Sequence, residues 1–171
     1  MSKIKKATPI QAKVLSKLSK KTFVIPHGHS APKKDIESYL KNNFNEKQLR
    51  QELKCSENEY YLIYHQKKIA GFSKIIFNSQ NENIATENIT ELSRLYLLEE
   101  FYDLGLGKKL FDFNISLAKK NNQLGVWLAV WTENKRAISF YKKMGFKKVG
   151  HSNYKISETH SNPNYIFYLE I

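Results

Sequence analysis

The sequence predicts a mixed α/β fold in which one sheet of about seven strands carries helices on both faces. The 171 residues suffice to bury one core, so we expect a single domain over residues 1–171. Segments with strand-like apolar patterns alternate with segments of helical periodicity. No internal repeat and no linker rich in Pro, Gly or Ser divides the chain. A chain of this kind folds as layers of helices around a central sheet.

The elements follow in order from their local patterns. The first strand is predicted at residues 3–7, and Thr8 then caps a helix that has Pro9 at its first position and ends near Lys21. The apolar face of this helix is predicted to consist of Ile10, Val14, Leu15 and Leu18. The later helices are predicted at 33–43, 46–54, 106–120 and after Asn134, and the later strands at 60–64, 69–77, 89–97, 125–130, 147–154 and 165–170, with a turn at 66–67 and a loop at 157–164.

A glycine-containing turn between strand 89–97 and helix 106–120 is the first candidate binding site. A tight turn that opens a helix presents unpaired backbone N–H groups and the positive end of the helix dipole. Such a site suits a phosphate or a pyrophosphate, although two glycines alone also indicate a simple turn. The residues concerned are Tyr102, Asp103, Leu104, Gly105, Leu106, Gly107 and Lys108.

The segment that follows strand 125–130 carries the second signal. Asn134 is suited to cap a helix, and Gly145 is suited to end it in the left-handed conformation. Asn134 and Tyr141 are seven residues apart, so an amide and a phenol lie on nearly the same helical face. The simpler alternative is a helix cap followed by an aromatic residue at the edge of the core.

Together the two segments resemble the GCN5-related N-acetyltransferase (GNAT) family. The resemblance extends from about Lys3 to Ile171 and is most specific between Glu91 and Phe146. The family pattern Asn-x-x-Ala-x-x-Phe-Tyr-x-Lys-x-Gly-Phe is complete here in Asn134, Ala137, Phe140, Tyr141, Lys143, Gly145 and Phe146.

The family's Gln/Arg-x-x-Gly-x-Gly/Ala loop, which holds the pyrophosphate of acetyl-CoA, is retained in part. Gly105 and Gly107 are present, but Tyr102 replaces the usual Gln or Arg and Asp103 replaces a common Gly. The missing Arg removes one charge-assisted contact to phosphate. Lys108 and Lys109 are positioned in the sequence to compensate for that loss.

The resemblance implies a mostly antiparallel sheet whose fourth and fifth strands splay apart. It also implies that the pantetheine arm of acetyl-CoA lies in the gap, paired like an added strand with the backbone of the fourth strand. No metal is expected. The residues implied in binding the co-substrate are Leu95, Tyr96, Leu97, residues 102–108, Asn134 and Lys143.

Acetyl transfer from a thioester to an amine needs a proton acceptor, an oxyanion donor and an acid for the departing thiolate. The resemblance implies that Tyr141 is the acid and that a backbone N–H near Leu95 is the oxyanion donor. Glu91 is a candidate base that acts through water, and the alternative is a solvated strand residue paired with a lysine. His27 and His29 are a second option for the base.

The sequence carries a less specific signal for the acceptor amine. The N-terminal third resembles the bacterial polyamine acetyltransferases, so spermidine is the first expectation, with aminoglycosides, amino acids and protein N-termini as alternatives in the same class. A CoA sensor without turnover and a nucleic-acid-binding regulator are alternatives of other classes. The residues that carry this closer resemblance are Thr22, Phe23, His27, Gly28, His29 and 35–40.

Composition agrees with an anionic partner. The net charge of +12 attracts nucleic acid or the phosphates of CoA, although Lys-rich solvated faces give the same total. No helix-turn-helix or RNA-recognition signature favours nucleic acid. Cys55 is the only cysteine, and neither a signal peptide nor a membrane span is apparent, so we expect a cytoplasmic protein. The family resemblance also implies a homodimer.

Overall fold

The computed structural model describes residues 1–171 and shows a seven-stranded sheet with five α-helices. The strands are β1 (Ser2–Lys6), β2 (Asn58–His65), β3 (Lys68–Ile76), β4 (Ile89–Leu97), β5 (Gly125–Trp131), β6 (Lys147–Lys155) and β7 (Ser161–Glu170). The helices are α1 (Ala12–His27), α2 (Lys33–Asn43), α3 (Glu46–Lys54), α4 (Leu106–Lys120) and α5 (Lys135–Lys143), with short 3₁₀ turns at Pro9–Gln11 and Glu99–Phe101. No helix combines the length with the apolar character that crossing a bilayer requires.

The strand order is β1-β2-β3-β4-β5-β7-β6. All neighbouring strands are antiparallel except β4 and β5, which run parallel. The mixed, mostly antiparallel sheet predicted from the sequence is therefore confirmed. The β2–β3 hairpin turns at Gln66 and Lys67, both of which have positive φ, as a tight hairpin turn requires.

The first helix differs from the prediction at both ends. Pro9–Gln11 form a 3₁₀ turn, so the helical phase begins only at Ala12, and Ile10 stays 83% exposed. The helix also continues past Lys21 to His27, with Pro26 in its last turn. Burial of Phe23 against α2 stabilises this extra length, because the ring stacks on Tyr39 with 5.0 Å between centroids.

The predicted loop at 157–164 is shorter in the structure. β7 begins at Ser161, and Asn162 is buried with its Nδ2 donating to Ser30 Oγ at 2.8 Å. Pro163 is compatible with this strand because it lies beyond the β5–β7 ladder, which ends at Asn164. The longer strand places the side chains of Asn162 and Asn164 at a cavity beside the central strands.

The core divides into two clusters. The larger cluster packs α1, α3 and α4 onto the sheet, and its fully buried members include Leu15, Leu49, Leu62, Phe72 and Leu110. The smaller cluster joins α1 and α2 to the segment between β6 and β7, and consists of Phe23, Ile36, Tyr39, Phe44 and Ile156. The second cluster fixes α1 and α2 over the central strands.

β4 and β5 pair at one end only. Residues 89–91 face residues 125–127, after which β4 remains paired with β3 and β5 with β7. The β3–β4 register also shifts at Ser93, which has no partner on β3. Such a bulge bends the strand that contains it, so the two parallel strands diverge beyond Glu91, as the family resemblance implies.

Candidate active site

Two adjoining cavities occupy the gap between β4 and β5. The inner cavity, about 300 Å³, lies between the diverging strands and the α1–α2 layer. The outer groove, about 600 Å³, runs between the start of α4 and the start of α5. The two share five residues, which are Leu95, Tyr96, Asn134, Ala137 and Tyr141.

Aromatic side chains form much of the inner wall. The rings that line the inner cavity are Phe23, His27, Phe44, Tyr96, Trp127, Trp131, Tyr141 and Tyr154, and its polar lining includes Glu91, Arg94, Asn134, Asn162 and Asn164. Sequence reasoning overlooked four of these rings, Phe44, Trp127, Trp131 and Tyr154, because they come from the α2–α3 junction, β5 and β6. Only the folded sheet brings them together.

The N-terminus of α4 forms one wall of the outer groove. Gly105 has a φ of +71° and a Cβ there would have no neighbour within 4 Å, so its role is conformational. The first intrahelical bond runs from the Lys109 N–H to the Gly105 carbonyl at 3.0 Å. The N–H groups of Leu106, Gly107 and Lys108 therefore have no helical acceptor, and they border a groove that suits a phosphate.

Tyr102 and Asp103, the two departures from the family loop, both contact Arg136 of α5. The Arg136 guanidinium lies 3.8 Å from the centroid of the Tyr102 ring, and its Nη2 lies 3.2 Å from Asp103 Oδ1. Asp103 has a φ of +61°, which explains why a glycine is common at this position. The groove thus contains an arginine after all, contributed by α5 instead of the loop.

Tyr141 lies where the two cavities meet. Tyr141 is only 8% exposed, and no protein group hydrogen-bonds to its hydroxyl. Burial, followed by the neighbouring hydroxyl of Tyr96, raises the pKa of Tyr141. Burial, followed by Tyr154, likewise raises the pKa of Tyr96. Both phenols therefore remain protonated at neutral pH and can donate a hydrogen bond into the gap.

Asn134 caps α5 as predicted. Its Oδ1 accepts a hydrogen bond from the Ala137 N–H at 3.2 Å. The amide nitrogen has no protein partner, and the residue lines both cavities. One side chain can therefore cap the helix with its oxygen and donate from its nitrogen to a molecule in the gap.

Glu91 lies at the closed end of the inner cavity. It faces Trp127 across the β4–β5 pair, and Ser79 Oγ donates to Glu91 Oε2 at 3.1 Å. The Trp127 indole N–H donates to the Ser79 carbonyl at 2.7 Å, so the loop between β3 and β4 covers this carboxylate. The carboxylate is half-buried and has a fixed orientation.

The two histidines considered in the sequence lie on different surfaces. His27 lines the inner cavity between the rings of Phe23 and Trp131, at 4.6 and 5.6 Å between centroids. Burial, followed by the charge of His29, lowers the pKa of His27 to about 4. His27 is therefore neutral at physiological pH and a weak proton acceptor, while His29 borders the outer groove. No group of three or more His, Cys, Asp or Glu side chains is arranged to hold a metal.

Most of the sequence-predicted binding residues lie on the outer groove, and two do not. Leu104 is 52% exposed and outside both cavities, and Lys143 lies in the last turn of α5, eight residues beyond the start of that helix. Lys143 lines neither cavity, although Phe140 and Tyr141 of the same helix do line the groove. The residues that do line the groove are Leu95, Tyr96, Leu97, Tyr102, Asp103, Gly105, Leu106, Gly107, Lys108 and Asn134.

Known proteins resemble this chain in sequence. The model of the Acetyltransferase (GNAT) family matches residues 29–146. An uncharacterized N-acetyltransferase of Lactobacillus delbrueckii subsp. lactis is 29% identical over 132 residues, which are 77% of this chain and 76% of the relative. The spermidine N(1)-acetyltransferase of Thermoplasma acidophilum is 29% identical over 112 residues, which are 66% of this chain and 67% of the relative.

A solved structure shows the same fold at lower identity. The PaiA N-acetyltransferase of Thermoplasma acidophilum, in complex with coenzyme A, superposes with a TM-score of 0.79 over 100% of this chain and 99% of that one, at 20% identity. The family match covers more than half of the chain, and the splayed strands and the glycine turn are in place. The chain therefore belongs to the GNAT family and is an acetyl-CoA-dependent N-acetyltransferase.

Proposed function

We propose that the enzyme acetylates a primary amine of a small molecule, with the amine in the inner cavity and the co-substrate in the outer groove. The observation that carries this assignment is the position of Tyr141. Its free hydroxyl lies where the two cavities meet. A proton donor at that junction can serve a thioester that reaches in from the groove and an amine that enters from the cavity.

The co-substrate contacts follow from the groove wall. The N–H groups of Leu106, Gly107 and Lys108 and the guanidinium of Arg136 would bind the pyrophosphate. The Asn134 amide nitrogen would donate to the pantetheine arm. The unpaired β5-facing edge of β4 at residues 95–97 would accept the arm as an added strand.

The reaction assigns one task to each remaining group. The amine nitrogen attacks the thioester carbonyl, and the backbone N–H near Leu95 stabilises the oxyanion. A C–N bond forms and the C–S bond breaks, the amine loses its proton through water to Glu91, and the Tyr141 hydroxyl supplies the proton for the departing thiolate. His27 is a less effective base, because its lowered pKa of about 4 leaves it little tendency to hold a proton.

A polyamine such as spermidine is the first acceptor class to test. One relative of this chain is the spermidine N(1)-acetyltransferase of Thermoplasma acidophilum. The aromatic walls of the inner cavity suit an alkylammonium group through cation–π contacts, and Glu91 supplies one carboxylate.

A second acceptor class, amino acids, is favoured by the guanidinium of Arg94. This cation also lines the inner cavity, where it attracts anionic groups and repels ammonium groups. A substrate with both an amine and a carboxylate would match the two charges that the cavity presents, Glu91 and Arg94.

The experiment is a thiol-release assay with acetyl-CoA against polyamines, aminoglycosides, amino acids and short peptides. We expect release with one small-molecule class and an acetylated product of that amine by mass spectrometry. Silence across the panel, with acetyl-CoA binding confirmed calorimetrically in the same samples, would contradict the proposal and favour a CoA sensor. Turnover with peptides alone would indicate that the enzyme acetylates protein N-termini and not small molecules.

We also propose that the enzyme works as a cytoplasmic homodimer. The sheet ends in β6, an exposed edge strand that could pair with a second copy. Light scattering coupled to size-exclusion chromatography measures the mass directly. A mass of one chain at micromolar concentration would contradict the dimer.

A further inference from the structure

A buried charge cluster at the inner cavity carries one more positive charge than negative. Glu52 Oε2 lies 2.9 Å from Lys74 Nζ and 3.7 Å from Arg94 Nη1. Burial favours the neutral carboxyl, but Arg94, the Tyr60 hydroxyl and Lys74 outweigh it and hold the pKa of Glu52 below its usual value. Two buried cations therefore share a single ionised carboxylate.

Arg94 has hydrogen-bond donors that the protein does not use. A guanidinium has five N–H donors, and the structure gives this one a single hydrogen bond, from Nη1 to the Tyr60 hydroxyl at 2.6 Å. The 3.7 Å separation from Glu52 is too long for a second. The group stacks on the Phe44 ring at 4.8 Å and lines the inner cavity with a side chain only 14% exposed.

The position of Arg94 on β4 connects this cluster with the reacting groups. Because Ser93 is bulged, Arg94 pairs with Lys74 and Tyr96 pairs with Phe72, so Arg94 and Tyr96 share one face of the strand. Two residues along a strand span about 7 Å. Tyr96 in turn borders Tyr141, at the junction of the two cavities. A small molecule can therefore reach from Arg94 to the site of transfer.

We propose that Arg94 binds a carboxylate of the acceptor, so that the preferred substrate is an aminocarboxylate and not a bare amine. A planar guanidinium with free donors matches a carboxylate with two parallel hydrogen bonds. The bound carboxylate would supply the negative charge that the cluster lacks, and it would pair with guanidinium donors that have no protein acceptor. This inference rests on the proposed function, because it assumes that the inner cavity receives the acceptor.

Matched substrate pairs test the inference in the wild-type enzyme. Lysine and cadaverine, ornithine and putrescine, and phenylalanine and phenethylamine differ within each pair only by a carboxylate. In at least one pair we expect kcat/KM to be about tenfold or more higher for the aminocarboxylate, since a site built for a polar group rejects the analogue that lacks it. Preference for the bare amine in every pair, with spermidine better still, would overturn the inference and leave the polyamine assignment standing.

Variants at Arg94 provide the second readout. In Arg94→Gln the preference for the aminocarboxylate within the favoured pair should fall by about tenfold. In Arg94→Lys the preference should lie between those of the wild type and Arg94→Gln, because lysine keeps the charge without the planar fork. CoA affinity should change less than about threefold in both, since Arg94 does not line the outer groove that binds the co-substrate. Arg50→Lys, on a half-exposed arginine of α3 outside both cavities, is the matched control.

The outcomes separate the two claims. An unchanged preference in both Arg94 variants would overturn the inference, even if one variant were less stable, because the ratio within a pair is independent of the active fraction. No turnover with any amine, while CoA binds, would instead overturn the proposed function together with the inference.

Discussion

The guanidinium of Arg136 lies over the ring of Tyr102, with 3.8 Å between the guanidinium carbon and the ring centroid, and holds Asp103 at 3.2 Å. Asp103 alone would repel the phosphates of CoA, and Arg136 neutralises it. The two loop residues that depart from the family pattern are thus compensated by one arginine on the neighbouring helix. This relationship makes a quantitative prediction about co-substrate affinity.

Arg136→Gln should raise the Kd for CoA about tenfold, because it removes a charge-assisted contact to phosphate and leaves Asp103 unneutralised. Asp103→Asn should lower the Kd by about threefold, because it frees the Arg136 charge for the phosphates, while Asn still tolerates positive φ. Isothermal titration with CoA measures both. Arg50→Gln, which removes a half-exposed arginine that pairs with Glu46 and lines neither cavity, is the control. Equal Kd values in wild type and Arg136→Gln would contradict the phosphate role.

Tyr141→Phe should lower kcat by about a hundredfold and leave the Kd for CoA within about twofold, because the substitution removes a proton donor without changing the shape of the junction. Rapid thiol detection and calorimetry give the two values. Tyr64→Phe, on a β2 tyrosine outside both cavities, should change neither. Equal turnover in wild type and Tyr141→Phe would exclude this tyrosine as the acid.

Local signals predicted some elements to the residue. β4 at 89–97 and α4 at 106–120 have the predicted bounds, because a polar, turn-like stretch precedes β4 and a glycine turn precedes α4, whose apolar residues recur with helical periodicity. The predicted end of α1 near Lys21 is wrong. Local signals stop there, but burial of Phe23 stabilises another turn and a half of helix. Tertiary packing outweighed local preference there.

The candidate site was predictable where a single segment contains its geometry. Asn134 and Tyr141 share a helix, so their spacing alone placed them on one face. Glu91 and Arg94 could not be connected in the same way, because strict alternation puts residues three apart on opposite faces. The bulge at Ser93 reverses that parity and brings both to the inner cavity. A bulge depends on the partner strand, which no local pattern records.

His27 should make the folded state sensitive to mild acid. Its pKa is about 4 when folded and 6.5 when unfolded, so between these values the unfolded chain binds a proton that the folded chain does not. Stability contributed by the neutral imidazole is present above pH 6.5 and is lost as the pH falls toward 4. From pH 7 to pH 5 the wild type should lose about 2 kcal/mol more unfolding free energy than His27→Gln. Urea denaturation at the two pH values measures this difference, and equal losses in the two proteins would contradict it.

Asn134 combines a structural and a binding task, and two substitutions separate them. Asn134→Ala removes both the cap of α5 and the amide donor, whereas Asn134→Ser keeps a capping oxygen and loses only the donor. The alanine variant should lose about 1 kcal/mol of unfolding free energy while the serine variant stays near wild type. Both should raise the Kd for CoA about fivefold, the value of one hydrogen bond to the pantetheine arm.

The matched control for Asn134 is the cap of α3. Asn45 Oδ1 accepts from the Gln48 N–H at 2.8 Å, and Asn45 lies outside both cavities. Asn45→Ala should therefore cost about the same stability as Asn134→Ala and leave CoA binding unchanged. If Asn134→Ser bound CoA with wild-type affinity, Asn134 would act only as a helix cap. Weaker CoA binding by Asn134→Ser, with wild-type stability, would establish that the amide nitrogen of Asn134 also contacts the co-substrate. No loss of helix structure could then account for the weaker binding.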